Sequence, residues 1–312
     1  MKKRILYLIT AAVISSLAFV ACIGEEEKEI WNAEGAPEIQ LTVSATAFFG
    51  IKIELAGKGE MKINWGDDTP FEKDTIISTG LFYSHKYKSS DTYTISIVGD
   101  ISYLNCSNCK VSILDVSQHP ALKIVNCSGN KLTSIDVSKQ TELQSLDCGG
   151  NRLTNLDIYN NSKIVHLFCG GNLLTNLYLN KLPHLLRLDC NGNNLTNIDV
   201  SHNIKLSKLD CRGNHLHSLD VSNNDYLVEL DCSWNGNDTD NLFSGLDVSN
   251  NKKLKILRCC SNGFSADALN ALFVSLHEFA VLGDYTVDIT GNPGCNVCNK
   301  QIAENKGWIV NY

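Results

Sequence analysis

The chain has 312 residues, 43% of them hydrophobic and 20% charged, so it can bury a sizeable core and is not a disordered polymer. Lys plus Arg number 27 against 34 Asp plus Glu, a net charge of -7 that offers nothing to drive counterion release and argues against a nucleic-acid partner. Thirteen cysteines are too few for a disulfide scaffold, so their spacing carries more information than their number.

Residues 1–22 read as an export signal, with a basic start from Met1 to Arg4, an uncharged apolar run from Ile5 to Val20, and then Ala21-Cys22. The run is too short to read as a spanning helix. A small residue directly ahead of a cysteine resembles the bacterial lipobox, with Phe19 where an aliphatic residue is more usual. Residues 23–36 form an acidic tether opening Ile-Gly-Glu-Glu-Glu-Lys-Glu, a composition that favours disorder. Together they resemble the surface-export signal of Bacteroidota lipoproteins. The resemblance implies lipidation of Cys22, an outer-membrane lipoprotein exposed on the cell surface, and membrane contact through the anchor only. Ordinary signal cleavage nearby is the alternative.

Residues 37–99 alternate in short strand-like runs, Ile39-Leu41-Val43, Ile51-Ile53-Leu55, Met61-Ile63-Trp65 and Tyr93-Ile95-Ile97, which predict a small β-sandwich. The stretch Ile63-Asn64-Trp65-Gly66-Asp67-Asp68-Thr69-Pro70, with His85-Lys86-Tyr87 after it, resembles the PKD-like modules of bacterial surface proteins. No linker separates Ile97 from Leu104, so the module is expected to cap the first coil of the repeats that begin at residue 100. Asp67 and Asp68 read first as a tight turn and only second as a cation site.

Over residues 100–264 the sequence repeats. Cys106, Cys127, Cys148, Cys169, Cys190, Cys211 and Cys232 stand 21 residues apart, and Cys259 comes after a six-residue insertion, Gly236 to Asn241. Leu143, Leu146, Cys148, Asn151, Leu153, Leu156, Asp157 and Ile158 show the pattern of one unit, which is that of a leucine-rich repeat with cysteine in one leucine slot. Leu-x-Cys has period two and predicts a strand with both side chains inward; stacked strands form one parallel sheet. Asn130, Asn151, Asn172, Asn193, Asn214 and Asn235 fall just past the strands, where a buried amide can satisfy the turn. The second apolar stripe fills the opposite wall, for which the short coil leaves room only for extended chain or short 3₁₀ turns.

A disulfide ladder is disfavoured, because equivalent residues on adjacent strands lie about 4.8 Å apart with parallel side chains, whereas a disulfide needs Cβ atoms about 3.8 Å apart and converging. A single file of thiols provides no tetrahedron for a metal either. The sulfurs are therefore expected to act as small buried hydrophobes, as in the internalin-type repeats that this ladder resembles. Cys109 takes the asparagine slot of the first coil, Cys260 should face outward, and Cys295 with Cys298 forms a lone C-x-x-C for which a local disulfide is an open alternative. In residues 265–312, Ser265 to Glu278 predicts a helix behind a capping serine, and Tyr285 to Thr290 a strand. This tail resembles the C-terminal cap of Bacteroidota leucine-rich repeat lipoproteins.

The fold class expected is thus a β-rich α/β solenoid of about eight leucine-rich coils between two caps. No phosphate-binding, zinc-protease or nucleophile-elbow motif is present, and no catalytic residue, metal or cofactor is assigned. His215 and His217 flank inward Leu216 and read first as solvated. Asp136, Asp157, Asp199, Asp220 and Asp247 precede the Val-Ser steps and are expected to accept backbone or hydroxyl hydrogen bonds rather than bind calcium. The register places His166, Phe168, Arg187, Asp189, Lys208, Asp210, Arg212, Glu229 and Asp231 on the concave outer face of the sheet, with Trp234 ahead of the insertion. An exposed Phe168 among mixed charges suits a protein partner; charges that only neutralise each other across strands are the competing reading. The expectation is a monomeric, non-enzymatic surface protein binding a protein or polysaccharide ligand. A glycan-capture module, for which the column offers only Tyr103 and Phe168 as aromatics, and a spacer without ligand are the alternatives.

Overall fold

A computed structural model describes residues 38–236, 243–278 and 285–312, and the chain forms two compact units divided after Asn151. The leader, Cys22, the tether and the insertion beyond Gly236 lie outside the described residues.

The first unit holds β1 (Glu38–Ala45), β2 (Gly50–Asn64), β3 (Glu72–Ile76), β4 (Leu81–Lys86), β5 (Asp91–Asn105), β6 (Val111–Asp115), β7 (Ile124–Asn126) and β8 (Ser145–Asp147). Strand alternation turns Ile39, Leu41, Val43, Ile51, Ile53, Ile63, Ile95 and Ile97 inward, each at most 1% exposed. β2 pairs antiparallel with β3, β4 and β5, and β1 lies antiparallel between β5 and β6. The two apolar runs Ile51–Leu55 and Met61–Trp65 belong to one long strand rather than two, except that Trp65 lies just past its end. Its register against β5 shifts after Ala56 and again after Lys58, where Gly59 supplies a φ of 74°.

β5 joins two kinds of pairing. Its first eight residues, Asp91 to Val98, run antiparallel to β1, whereas Tyr103, Leu104 and Asn105 pair in parallel with Ile124, Val125 and Asn126 of β7. β7 in turn pairs in parallel with β8. One continuous strand therefore carries the chain from the antiparallel module into the repeat ladder.

The second unit is a parallel ladder of β9 (His166–Phe168), β10 (Arg187–Asp189), β11 (Lys208–Asp210), β12 (Glu229–Asp231) and β13 (Ile256–Arg258), continued by β14 (Thr286–Asp288) and β15 (Ile309–Asn311). The central leucine of each repeat strand, from Leu167 to Leu257, is at most 1% exposed, and the cysteine after each strand is fully buried. The chain is a parallel-sheet β-solenoid of about nine turns. Return segments are neither strand nor helix but pairs of tight turns, as where Asn203 N donates to Val200 O at 3.0 Å and Leu206 N to Asn203 O at 2.9 Å.

Helix α1 (Ala266–Ser275) starts where Ser265 Oγ accepts from Ala268 N at 3.2 Å, and ends three residues earlier than Glu278. Lys306 Nζ donates to the carbonyls of Phe273, Val274 and Leu276 at 3.1, 2.6 and 2.6 Å, which satisfies the open end of the helix. A short helix α2 (Gln301–Glu304) and β15 complete the chain, and Ile289 takes the inward slot that cysteine holds in the coils before it.

Two files of buried amides tie successive coils together. Asn214 Nδ2 donates to the carbonyls of Cys190 and Cys211 at 3.0 Å each, and its Oδ1 accepts from Leu195 N at 3.0 Å. The pattern recurs at Asn130, Asn151, Asn193, Asn235 and Asn262. A second file, Gln140, Asn161, Asn203, Asn224 and Asn251, is fully buried on the return side. There Asn224 Nδ2 donates to Val200 O and Asn203 O at 3.0 Å each. The first file satisfies backbone groups that coils without helix or ladder would otherwise bury unpaired, whereas Asn224 adds a second bond to carbonyls that already accept from the turn backbone.

Candidate interaction surface

In each three-residue strand the flanking residues point outward once the central leucine points in. Parallel in-register pairing then aligns His166, Arg187, Lys208, Glu229 and Ile256 in one column, and Phe168, Asp189, Asp210, Asp231 and Arg258 in the next. Arg212 lies just past the end of β11.

Most charges on this face are paired with each other. Glu229 accepts from Lys208 Nζ through Oε2 and from Arg258 Nη1 through Oε1, both at 2.8 Å. Burial pushes the Glu229 carboxyl up, but the hydrogen bonds from Lys208 and Arg258 outweigh it and hold the group below its ordinary range. Arg212 lies between Asp210 at 3.6 Å and Asp231 at 3.9 Å. Burial, reinforced by the neighbouring carboxylates of Asp189 and Asp231, raises Asp210 to about 6. The neutralisation across strands that competes with a binding role thus accounts for Lys208, Asp210, Arg212, Glu229 and Asp231. Arg258 escapes a constant 21-residue stride, because the insertion places it 29 residues after its partner Glu229.

Two side chains expected to be exposed are less so. Phe168 is half-buried, its ring stacked on that of His166 at 6.3 Å with an interplanar angle of 17°. Asp231 is only 5% exposed, and its Oδ1 accepts from Ser233 N at 3.1 Å. Arg187 is exposed and makes no ion pair among the described residues. Asp189 accepts from Asn191 through both its backbone N and its side-chain amide.

Trp234 is 54% exposed and has a φ of 61°. Its slot in the repeat is occupied by Gly129, Gly150, Gly171, Gly192 and Gly213, each with φ between 57° and 65°. A left-handed backbone costs an L-residue roughly 1–2 kcal/mol that glycine avoids. Trp234 is the bulkiest side chain in the file, in which Asn108 and Ser261 are also left-handed, with φ of 57° and 51°.

Elsewhere many polar groups close turns. Asp136, Asp157, Asp199, Asp220 and Asp247 each accept through Oδ1 from the backbone N two residues on, at 2.8 to 3.0 Å. These hydrogen bonds hold Asp136, Asp199 and Asp220 below the ordinary carboxylate range. Asp67 accepts from Thr69 Oγ1 at 2.6 Å and meets His85 Nε2 at 2.7 Å, with the His85 ring stacked on Trp65. His217 Nδ1 lies 3.2 Å from Thr196 O. Among the described residues no group of three or more potential metal ligands converges.

The ladder sulfurs from Cys106 to Cys259 form no disulfide and are fully buried, and burial pushes up those of Cys106, Cys127, Cys148, Cys190, Cys211, Cys232 and Cys259, Cys148 to about 12. At neutral pH they are neutral, unreactive apolar groups. Cys109 is buried with Sγ 3.2 Å from Lys52 O. Cys260, expected outward, is half-buried, with Sγ 3.7 Å from Asp288 O. Cys295 and Cys298 are buried, with Cys298 Sγ 3.5 Å from Cys295 O.

Inward leucines, a sulfur file and an asparagine file on a parallel ladder define a leucine-rich-repeat solenoid with a cysteine ladder. Among solved structures the chain is similar to the functional domain of InlJ from Listeria monocytogenes, which includes a cysteine ladder, at 34% identity and a TM-score of 0.53 over 61% of this chain and 44% of that one. Two others superpose less well: the leucine-rich repeat domain of APL1B, at 18% identity and 0.34 over 60% and 46% of the two chains, and a plant ice-binding protein, at 26% and 0.38 over 48% and 51%. The chain spans about half or less of the length of the structures it matches. No family model and no curated protein matches it.

Proposed function

We propose that the chain is a non-enzymatic, monomeric binding protein of the cell surface, held at the outer membrane by a lipid on Cys22, and that it engages a protein through the outward face of β9 to β12. The paired charges supply a rigid, nearly neutral floor. His166, Phe168, the unpaired Arg187 and Trp234 supply the contacts, an aromatic and arginine set of the kind that dominates binding energy at interfaces.

One observation carries this reading: a tryptophan, half in solvent, in a left-handed slot that the five preceding coils give to glycine. Strain of this kind persists where the exposed side chain has a use. A saccharide reading of the same face is weaker, because its outward columns hold few aromatics.

The test is biolayer interferometry of the full chain against a panel of purified extracellular proteins and of polysaccharides, repeated with Phe168→Ala/Arg187→Ala and with Trp234→Gly. Protein binding that both variants weaken supports the assignment. Binding indifferent to both, or to polysaccharides alone, refutes it. Loss of metabolic fatty-acid labelling in Cys22→Ala tests the anchor.

A further inference from the structure

The return side of the second unit carries a cleft of about 500 Å³, away from the charged columns. Its lining includes Leu156 and Ile158, each 2% exposed, and Tyr159 and Tyr178, 64% and 73% exposed. Asp157, Asn180 and Lys181 complete the lining, with Lys181 Nζ 5.2 Å from the centre of the Tyr159 ring.

The cleft falls where the repeat breaks its own rule. Asp136-Val137-Ser138, Asp199-Val200-Ser201, Asp220-Val221-Ser222 and Asp247-Val248-Ser249 are interchangeable, and the two coils between the first and second of these read Asp157-Ile158-Tyr159 and Tyr178-Leu179-Asn180. The turn hydrogen bonds are the same with and without the substitutions. In the Tyr178 coil Leu182 N still donates to Leu179 O at 3.0 Å and Leu185 N to Leu182 O at 3.2 Å, as in the coil after it, although the aspartate acceptor is gone. Neither tyrosine hydroxyl has a hydrogen-bond partner among the described residues, and each ring exposes most of its surface. Departures that leave the turn unchanged, fall on adjacent coils and place aromatic rings around one cleft are explained by a ligand.

We propose that this cleft binds a neutral pyranose oligosaccharide. A tyrosine ring offers a flat apolar face with a polar tip, suited to the C–H face of a sugar and to a hydroxyl at its edge. A side-chain amide and a carboxylate beside it match vicinal hydroxyls as donor and acceptor. Asp157 and Lys181 cancel in charge, which favours a neutral ligand over an acidic one. Apolar lining residues with few polar groups among them are the ordinary make-up of a ligand site. This site is separate from the protein-binding face proposed above and does not depend on it.

The test uses the full chain and a panel of neutral hexasaccharides, of α- and β-linked glucose, β-linked mannose and β-linked N-acetylglucosamine, read by isothermal titration calorimetry and saturation-transfer NMR. At least one member should bind, and Tyr159→Ser/Tyr178→Asp, which restores the repeat pattern and so should fold as well as the parent, should weaken it by roughly tenfold or more. Tyr178→Phe keeps the ring and should retain most of the affinity, and Phe168→Ala/Arg187→Ala should leave it unchanged. A panel with no binder, or binding that survives the restored pattern, overturns the assignment. Loss in the Phe168→Ala/Arg187→Ala variant instead would place the sugar on the strand face and equally overturn it.

Discussion

Trp234 and Gly213 share one backbone conformation, φ 61° in each, although only glycine adopts it without strain. Stability and binding should therefore separate at this position. Trp234→Gly removes a roughly 1–2 kcal/mol left-handed strain, offset by the greater freedom glycine has when unfolded. Urea denaturation should show stability unchanged or raised by up to about 1 kcal/mol, while affinity for a protein ligand falls.

The asparagine file should be less forgiving than the sulfur file. Asn214→Ala strands two buried carbonyls and a backbone N–H at once, for a loss of about 2–4 kcal/mol in denaturant titrations. Asn224→Ala takes away the second hydrogen bond of two carbonyls, Val200 O and Asn203 O, that keep backbone donors, and should cost less. A loss below about 0.5 kcal/mol at Asn214 would mean that the coil is held by other groups.

Cysteine at the ladder positions serves as an apolar group of moderate size. Cys190→Ala should cost about 1–2 kcal/mol through lost packing, and Cys190→Ser at least as much because it buries a hydroxyl. In the folded protein iodoacetamide should label Cys260, half-buried and raised to about 11, ahead of the fully buried sulfurs. In denaturant, mass spectrometry should find every thiol from Cys106 to Cys259 labelled without prior reduction.

Asp210 makes stability depend on pH in an unusual direction. Its carboxyl ionises near 3.8 in the unfolded chain and near 6 when folded, so the folded state holds the proton longer. Its effect is absent below the unfolded value, and stability falls as pH rises from about 4 through 6. Between pH 5 and pH 7.5 the loss should be about 1–2 kcal/mol, and Asp210→Asn should remove it. A parent and variant with parallel stability profiles over that range would refute the assignment.

Periodicity made the ladder legible: a 21-residue stride alone locates the inward leucines, the sulfurs and the first asparagine file. The same stride runs from Gln140 through Asn161 to Asn203 and Asn224, but Gln140 differs in type and Leu182 interrupts the row, so the second amide file stays hidden among loop residues. β3 and β4 escape notice because Glu-Lys-Asp-Thr-Ile and Leu-Phe-Tyr-Ser-His-Lys carry little apolar alternation; pairing with β2 decides them. On the strand face, register identifies which side chains point outward but not which of them pair. The Arg258–Glu229 contact crosses the insertion, and the burial of Asp231 depends on neighbours from other coils. Tyr159 and Tyr178 become informative only when a break in the pattern is weighed as heavily as the pattern.

The shared strand β5 has a consequence for how the solenoid begins. A stack of identical coils has no preferred first member, and forming the initial parallel pair requires closing a long loop before any contact rewards it. Here the last three residues of β5 pair antiparallel with Glu54, Leu55 and Ala56 of β2 as well as in parallel with β7, so the opening rung is expected to form on an edge that β2 supplies. Removing the N-terminal strands would leave the downstream rungs chemically intact yet deprive them of their starter, and the loss should be felt first as slow assembly.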